Sequence, residues 1–130
     1  MKAMTQILLV DDDTNVLLTL AIALRRAGHT VTVAQNGWQA LNLLRCQAFD
    51  FMISDVKMPG MTGVELAQRA HHLNHPPRVI LTSALEVEVN EDIAEAFMPK
   101  PIDVARLNAV LHSDSHDHAA NFLVSTVHSS

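Results

Sequence analysis

The chain is predicted to fold as a doubly wound α/β domain on a five-stranded parallel sheet, and three observations lead there. Short apolar runs alternate with stretches of helical periodicity five times along the sequence. Two of those runs stop abruptly on aspartate, at Asp11 and at Asp55. The 130 residues are enough for about one domain with a real core and too few for that domain plus a second.

Ile7-Leu8-Leu9-Val10 is a continuous apolar run, short enough for a strand covered on both faces, and three aspartates follow it. From Thr14 to Ala27 the apolar residues Val16, Leu17, Leu20, Leu24 and Ala27 recur at helical spacing. Arg25 and Arg26 fall in the last turn and Gly28 just beyond it. Thr30 to Ala34 is β-branched and alternating, a second strand, and Asn36-Gly37 opens a helix carrying Ala40, Leu41, Leu44 and Ala48. Phe51 to Ser54 is a buried-type strand ending on Asp55. Met58 to Gly63 then makes a tight loop that feeds a helix from Val64 to His72. Arg78 to Thr82 is a fourth strand, Val87 to Ala96 a weaker acidic helix, Phe97-Met98 a very short fifth strand and Ile102 to Leu111 the last helix. Parallel strands joined by right-handed crossovers gather function in the crevice at their carboxyl ends. Asp114 to Ser130 is rich in Ser and His, with one apolar patch at Phe122-Leu123-Val124, and reads as a frayed or disordered tail.

Composition removes several function classes. Hydrophobic residues make up 48% of the chain, yet no apolar run approaches the roughly 18 residues that cross a bilayer. The N-terminus carries no signal-peptide pattern, so a soluble cytoplasmic chain is expected. The net charge of −5 and the absence of any basic cluster beyond Arg25-Arg26 argue against direct DNA binding. The single cysteine, Cys46, excludes an intramolecular disulfide and an all-cysteine metal site, and its place in a helix predicts a buried apolar side chain. Trp38, at a helix start, is predicted to pack, and His71, His72 and His75 to be solvated.

The strand ends carry chemistry. Asp11 and Asp12, Asp55, Thr82 and Lys100 follow the first, third, fourth and fifth strands. Crowded carboxylates repel, and either protonation or a divalent cation relieves them; an oxygen-only set favours Mg²⁺ over zinc or copper. A hard cation screens an incoming phosphate, so the Asp55 carboxylate can act as nucleophile, while Lys100 and the Thr82 hydroxyl pair with phosphoryl oxygens. Each residue has a plainer reading: Asp13 caps the first helix, Thr82 turns the chain, Lys100 is a solvated loop charge. Their order on successive strands favours the chemical one.

These residues, with Asp55-Val56-Lys57-Met58-Pro59-Gly60-Met61-Thr62-Gly63, Val79-Ile80-Leu81-Thr82-Ser83-Ala84 and Phe97-Met98-Pro99-Lys100-Pro101, make the chain resemble the receiver domains of bacterial response regulators. The single-domain chemotaxis regulator is a familiar member. The likeness spans roughly residues 5–112, taken as the receiver domain, with 113–130 as the tail. It implies a flavodoxin-like strand order 2-1-3-4-5, Asp55 as phosphoacceptor, and Mg²⁺ held by Asp11, Asp12, Asp55 and the Lys57 backbone carbonyl. It further implies that Thr82 and Phe97 move in the switch and that Lys100 pairs with the phosphoryl group and precedes a cis bond to Pro101. Such a module takes its phosphoryl group from a sensor histidine kinase or histidine phosphotransfer protein. It catalyses only its own phosphorylation and dephosphorylation, and it acts on a downstream protein or through a phosphorylation-dependent dimer. The expected output surface is the fourth helix, fifth strand and fifth helix.

Two departures stand out. The interval from Thr82 to Phe97 is short for the family, and Ala94-Glu95-Ala96 replaces its small turn, so the fourth helix is expected to be short or displaced and Phe97 is either switch or ordinary core. Lys57 and Ala84 occupy positions that in this family flank the path of the hydrolytic water, so an altered phosphoryl lifetime is expected. The alternatives are a pseudo-receiver or a fragment of a larger regulator or hybrid kinase and, more remotely, a phosphohydrolase with its nucleophile at Asp11. That last signature needs Thr or Val where Asn15 stands.

Overall fold

The computed structural model describes residues 5–85 and 91–113. The strands are β1 (Gln6–Val10), β2 (Thr30–Ala34), β3 (Phe51–Asp55), β4 (Arg78–Ser83) and β5 (Ala96–Pro99). The helices are α1 (Thr14–Arg26), α2 (Gly37–Cys46), α3 (Gly63–Ala70) and α4 (Val104–Leu111). All strand pairs are parallel and the sheet order is β2-β1-β3-β4-β5. The doubly wound fold expected from the alternation is the fold observed.

Local chemistry sets the helix starts. The Asp13 side chain accepts from the N–H of Asn15 at 2.9 Å and of Val16 at 3.3 Å, Asn36 accepts from Gln39, and Asp103 from Arg106. Thr62 and Glu65 form a reciprocal capping box at α3. Asp103 as cap also explains why the last helix begins at Val104 rather than Ile102. Gly28, at φ +100°, lets the chain leave α1 through a left-handed turn.

Both faces of the sheet are covered. Leu17, Leu20 and Leu24 of α1 and Leu107, Val110 and Leu111 of α4 pack with Ile7, Leu9, Ile53 and Ile80. On the other face Ala40 and Leu41 of α2 and Leu66, Ala67 and Ala70 of α3 pack with Leu8, Val10, Met52 and Leu81. Each fully buried Leu or Ile contributes about 1.5–3 kcal/mol of transfer free energy. A strand buried on both faces favours apolar residues at successive positions, which is why Ile7–Val10 of β1 and Phe51–Ile53 of β3 read as continuous runs.

Three expectations are corrected. The helix expected at Val87 to Ala96 is not formed over its described part, where Glu91–Ile93 make a turn and Ala96 already belongs to β5; residues 86–90 lie outside the described residues. The cause is the sheet. The Glu95 N–H donates to the Val79 carbonyl at 2.8 Å, and the Glu95 carboxylate takes the Arg78 Nε at 2.8 Å on each oxygen. The Arg78 guanidinium also lies 4.6 Å from the centre of the Phe51 ring. Helical spacing in the sequence lost to strand pairing and a largely buried ion pair. Cys46 is exposed, because the buried positions of α2 are Gly37, Ala40 and Leu41. Trp38 is 58% exposed, one position round from Gly37, with the Arg69 guanidinium 5.4 Å from its ring. His71, His72 and His75 are exposed as expected, and the tail from Asp114 onward lies outside the described residues.

Glu95→Gln removes the carboxylate charge opposite Arg78, whose guanidinium stays largely buried. The expected loss is about 1–3 kcal/mol, read as a lower urea midpoint at unchanged slope. A wild-type midpoint would show that the pair adds nothing to stability.

Candidate functional site

The carboxyl ends of β1, β3, β4 and β5 open on one crevice. Asp11 follows β1, donates its N–H to the Ala34 carbonyl at 3.2 Å and is 3% exposed; Asp12, next to it, is exposed. Asp55 closes β3 at 7% exposure. Carboxylate oxygens of Asp11, Asp12 and Asp55 all lie within 4.8 Å of one another. Thr82 is the register partner of Asp55 on β4 and is buried, and its carbonyl accepts the Val56 N–H at 2.8 Å.

Lys100 reaches the same point from the far edge of the sheet. Its N–H donates to the Ser83 carbonyl at 2.9 Å, and its ammonium stands 2.7 Å from Asp11 Oδ2 and 3.3 Å from Asp55 Oδ2. The Lys100–Pro101 bond is cis. The Lys57 N–H approaches Asp55 Oδ1 at 3.4 Å while the Lys57 side chain is exposed. Phe97 is buried in β5 opposite Leu81, among the side chains of the α2–α3 face. The structure therefore brings Asp11, Asp12, Asp55 and Lys100 into one cluster, sets Thr82 beside Asp55 by register, and places Phe97 in the core.

Burial holds the Asp55 carboxyl above the usual carboxylate range, and the neighbouring charge of Asp11 adds to the effect; Lys100 opposes both with its charge and hydrogen bond. Lys100 is held above the ordinary lysine value. Its burial works in the other direction, but the hydrogen bond and charge of Asp11, followed by those of Asp55, outweigh it. Among the described residues the donors grouped here are the oxygens of three carboxylates, two buried and one open to solvent, and the Lys100 ammonium pairs with two of them. That set fits a hard divalent cation.

Two residues of the site escaped sequence reasoning. Ser83 fixes Lys100 through its backbone carbonyl, which no side-chain pattern reveals. Gly63 packs against the Asp55 backbone; the sequence shows it as the last residue of the Asp55-to-Gly63 segment but not this close approach.

The family model for the response regulator receiver domain matches residues 7–112. The chain belongs to that family. Among curated relatives of this receiver domain, the transcriptional regulatory protein AfsQ1 of Streptomyces coelicolor is 34% identical, over 83% of this chain and 52% of that protein. The DNA-binding transcriptional regulator NtrC of Escherichia coli is 38% identical, over 73% of this chain and 21% of that protein. Among solved structures, the response regulator TrrA of Thermotoga maritima, in complex with Mg²⁺-BeF, superposes with a TM-score of 0.76 at 27% identity, covering 83% of this chain and 96% of that one. The receiver domain thus spans about half of AfsQ1 and about a fifth of NtrC. Among the described residues no helix is long and apolar enough to cross a membrane.

A raised carboxylate pKa means that the folded receiver domain binds the Asp55 proton more tightly than the unfolded chain does. The associated stability is present at low pH and is lost as pH rises through the folded value. Asp55→Asn in Mg²⁺-free buffer should therefore raise the melting temperature at neutral pH. The difference should shrink as pH falls toward the ordinary carboxylate value of 3.8. Thermal melts from pH 3 to 8 measure it; a pH-independent difference would show that charge is not its source.

Proposed function

We propose that this receiver domain accepts a phosphoryl group on Asp55 and relays it as a change of conformation. The observation that carries the proposal is the meeting of Asp11, Asp12 and Asp55 within 4.8 Å, with the Lys100 ammonium against two of them. In the reaction an Asp55 carboxylate oxygen bonds to phosphorus of a phosphohistidine on a sensor kinase or phosphotransfer protein. The P–N bond breaks, and the imidazole leaves with the electron pair. The solvent-exposed acid Asp12, the buried Asp11 and Asp55 and the Lys57 backbone carbonyl would hold Mg²⁺, which supplies positive charge that lets a carboxylate and a phosphate approach each other.

Lys100 keeps its ammonium beside Asp55 and pairs with a phosphoryl oxygen, and the Thr82 hydroxyl donates to another. Phosphorylation adds about −1.5 to −2 charges at this point, which favours a conformer with both groups drawn in. Phe97 answers Thr82 from β5. The coupling between phosphorylation and output is typically about 1–3 kcal/mol. The domain's own catalysis is confined to its phosphorylation and dephosphorylation. Residues 5–112 are the receiver, 113–130 its tail, and the setting is cytoplasmic. The signal passes to a downstream protein or through a phosphorylation-dependent dimer. The output surface is read as β5 and α4, with the expected fourth helix not formed over the described residues 91–95.

Intact mass after incubation with acetyl phosphate tests the proposal. A Mg²⁺-dependent gain of one phosphoryl group that Asp55→Asn abolishes is the expected result; a gain that survives the substitution would place the nucleophile elsewhere, with Asp11 next in line. The exposed cation at Lys57 stands where attacking water would pass. Lys57→Ala is accordingly expected to change the dephosphorylation rate of the loaded domain, and an unchanged rate would remove Lys57 from the account.

A further inference from the structure

We propose that Gly63 is a positioning residue for the acceptor site. Its missing side chain lets the first turn of α3 close directly onto the Asp55 carbonyl, and that closure fixes where residues 56–62 present the Lys57 backbone to the Asp55 carboxylate. The inference rests on the reading of Asp55 as acceptor.

The geometry is one of space. A Cβ added at Gly63 would overlap the Asp55 carbonyl oxygen and lie 2.9 Å from both the Asp55 carbonyl carbon and Val56 Cα. All three are backbone atoms, two of Asp55 at the end of β3 and one of the residue after it, so no side-chain rotation relieves the overlap. The left-handed region is not what demands glycine here, because among the described residues only Gly28 and Gly60 have positive φ. The close approach also makes a bond: the Gly63 N–H donates to the Val56 carbonyl at 2.9 Å, closing the loop into a ring one residue beyond Asp55.

Within that ring the Lys57 N–H lies 3.4 Å from Asp55 Oδ1, and the Val56 N–H is held by the Thr82 carbonyl at 2.8 Å. The loop is pinned a second time at Met61, which is buried; a Cβ on Gly37 would meet the Met61 Sδ at 2.7 Å. With Met61 seated in the core beside Gly37, the displacement from pushing α3 away at Gly63 is expected at residues 56–58. A glycine acting this way sets the position of backbone groups around the carboxylate and touches no substrate itself.

The test uses the full chain. Gly63→Ala is compared with Gly28→Ala, which strains a positive-φ turn at the opposite end of the sheet with no atom within 4 Å of the added Cβ. A third variant inserts one glycine between Gly60 and Met61, loosening the loop while Gly63 stays, and it decides the matter if Gly63→Ala fails to fold. Backbone amide NMR shifts of residues 55–58 and 60–62 are recorded without metal, Mg²⁺ affinity by calorimetry, and thermal melts for each variant. The expected result is a shift of amides 55–58 and a loss of Mg²⁺ affinity of about 10-fold or more in Gly63→Ala and in the insertion, with Gly28→Ala losing stability alone. Wild-type amide shifts and affinity in Gly63→Ala, or an equal loss of affinity in Gly28→Ala, would overturn the proposal. If the unsubstituted chain takes up neither Mg²⁺ nor a phosphoryl group, the acceptor reading fails, and the metal-free amide shifts still decide whether Gly63 sets the loop.

Discussion

Repulsion between two buried carboxylates, Asp11 and Asp55, is the constraint on which the rest of the site depends. A parallel sheet in the order β2-β1-β3-β4-β5 makes β1 and β3 neighbours, so the charged residues that end them arrive side by side. Neither can turn to bulk water, since both are almost fully buried. A positive charge at that point relieves them, and Lys100 supplies one from the β5 edge of the sheet. The ammonium is committed more closely to Asp11 than to Asp55, which leaves Asp55 the less compensated of the two. The Asp55 carboxyl is held above the usual carboxylate range, by its burial first and by the charge of Asp11 second.

The strand ends were legible in the sequence because a strand buried on both faces shows as a short apolar run that gives way to charge where it stops. Ile7 to Val10 before Asp11, and Phe51 to Ser54 before Asp55, announce both the strand and its terminus. Asp13 was legible as a cap for the same local reason. What could not be read was non-local. Glu95 finds Arg78 across the start of two paired strands, and that contact decides the conformation of a segment whose own periodicity is helical. Trp38 and Cys46 fall on the outer side of α2, and a rotation of one position separates a packed residue from an exposed one. Gly63 reads in sequence as one more loop glycine; only the proximity of β3 and α3 gives it a specific task.

The same geometry limits what can act as a switch. A group that makes equal contacts in two conformers shifts nothing between them, however strong those contacts are. Lys100 is already drawn in against Asp11 and Asp55, so its approach cannot by itself distinguish the phosphorylated state. Under the proposed phosphorylation of Asp55, the difference would come from groups that gain a partner only when new acceptor oxygens appear beside it. Thr82 is placed to do so, one strand over and in register with Asp55, and any movement it makes is conducted by β4 into β5 through the pairs Thr82–Met98 and Ser83–Pro99. The Ser83 carbonyl also holds the Lys100 backbone, so a shift at the end of β4 moves the cation and the start of the connection to α4 together. With no helix over the described residues 91–95, this edge is the route from acceptor to surface that the proposed switch would use.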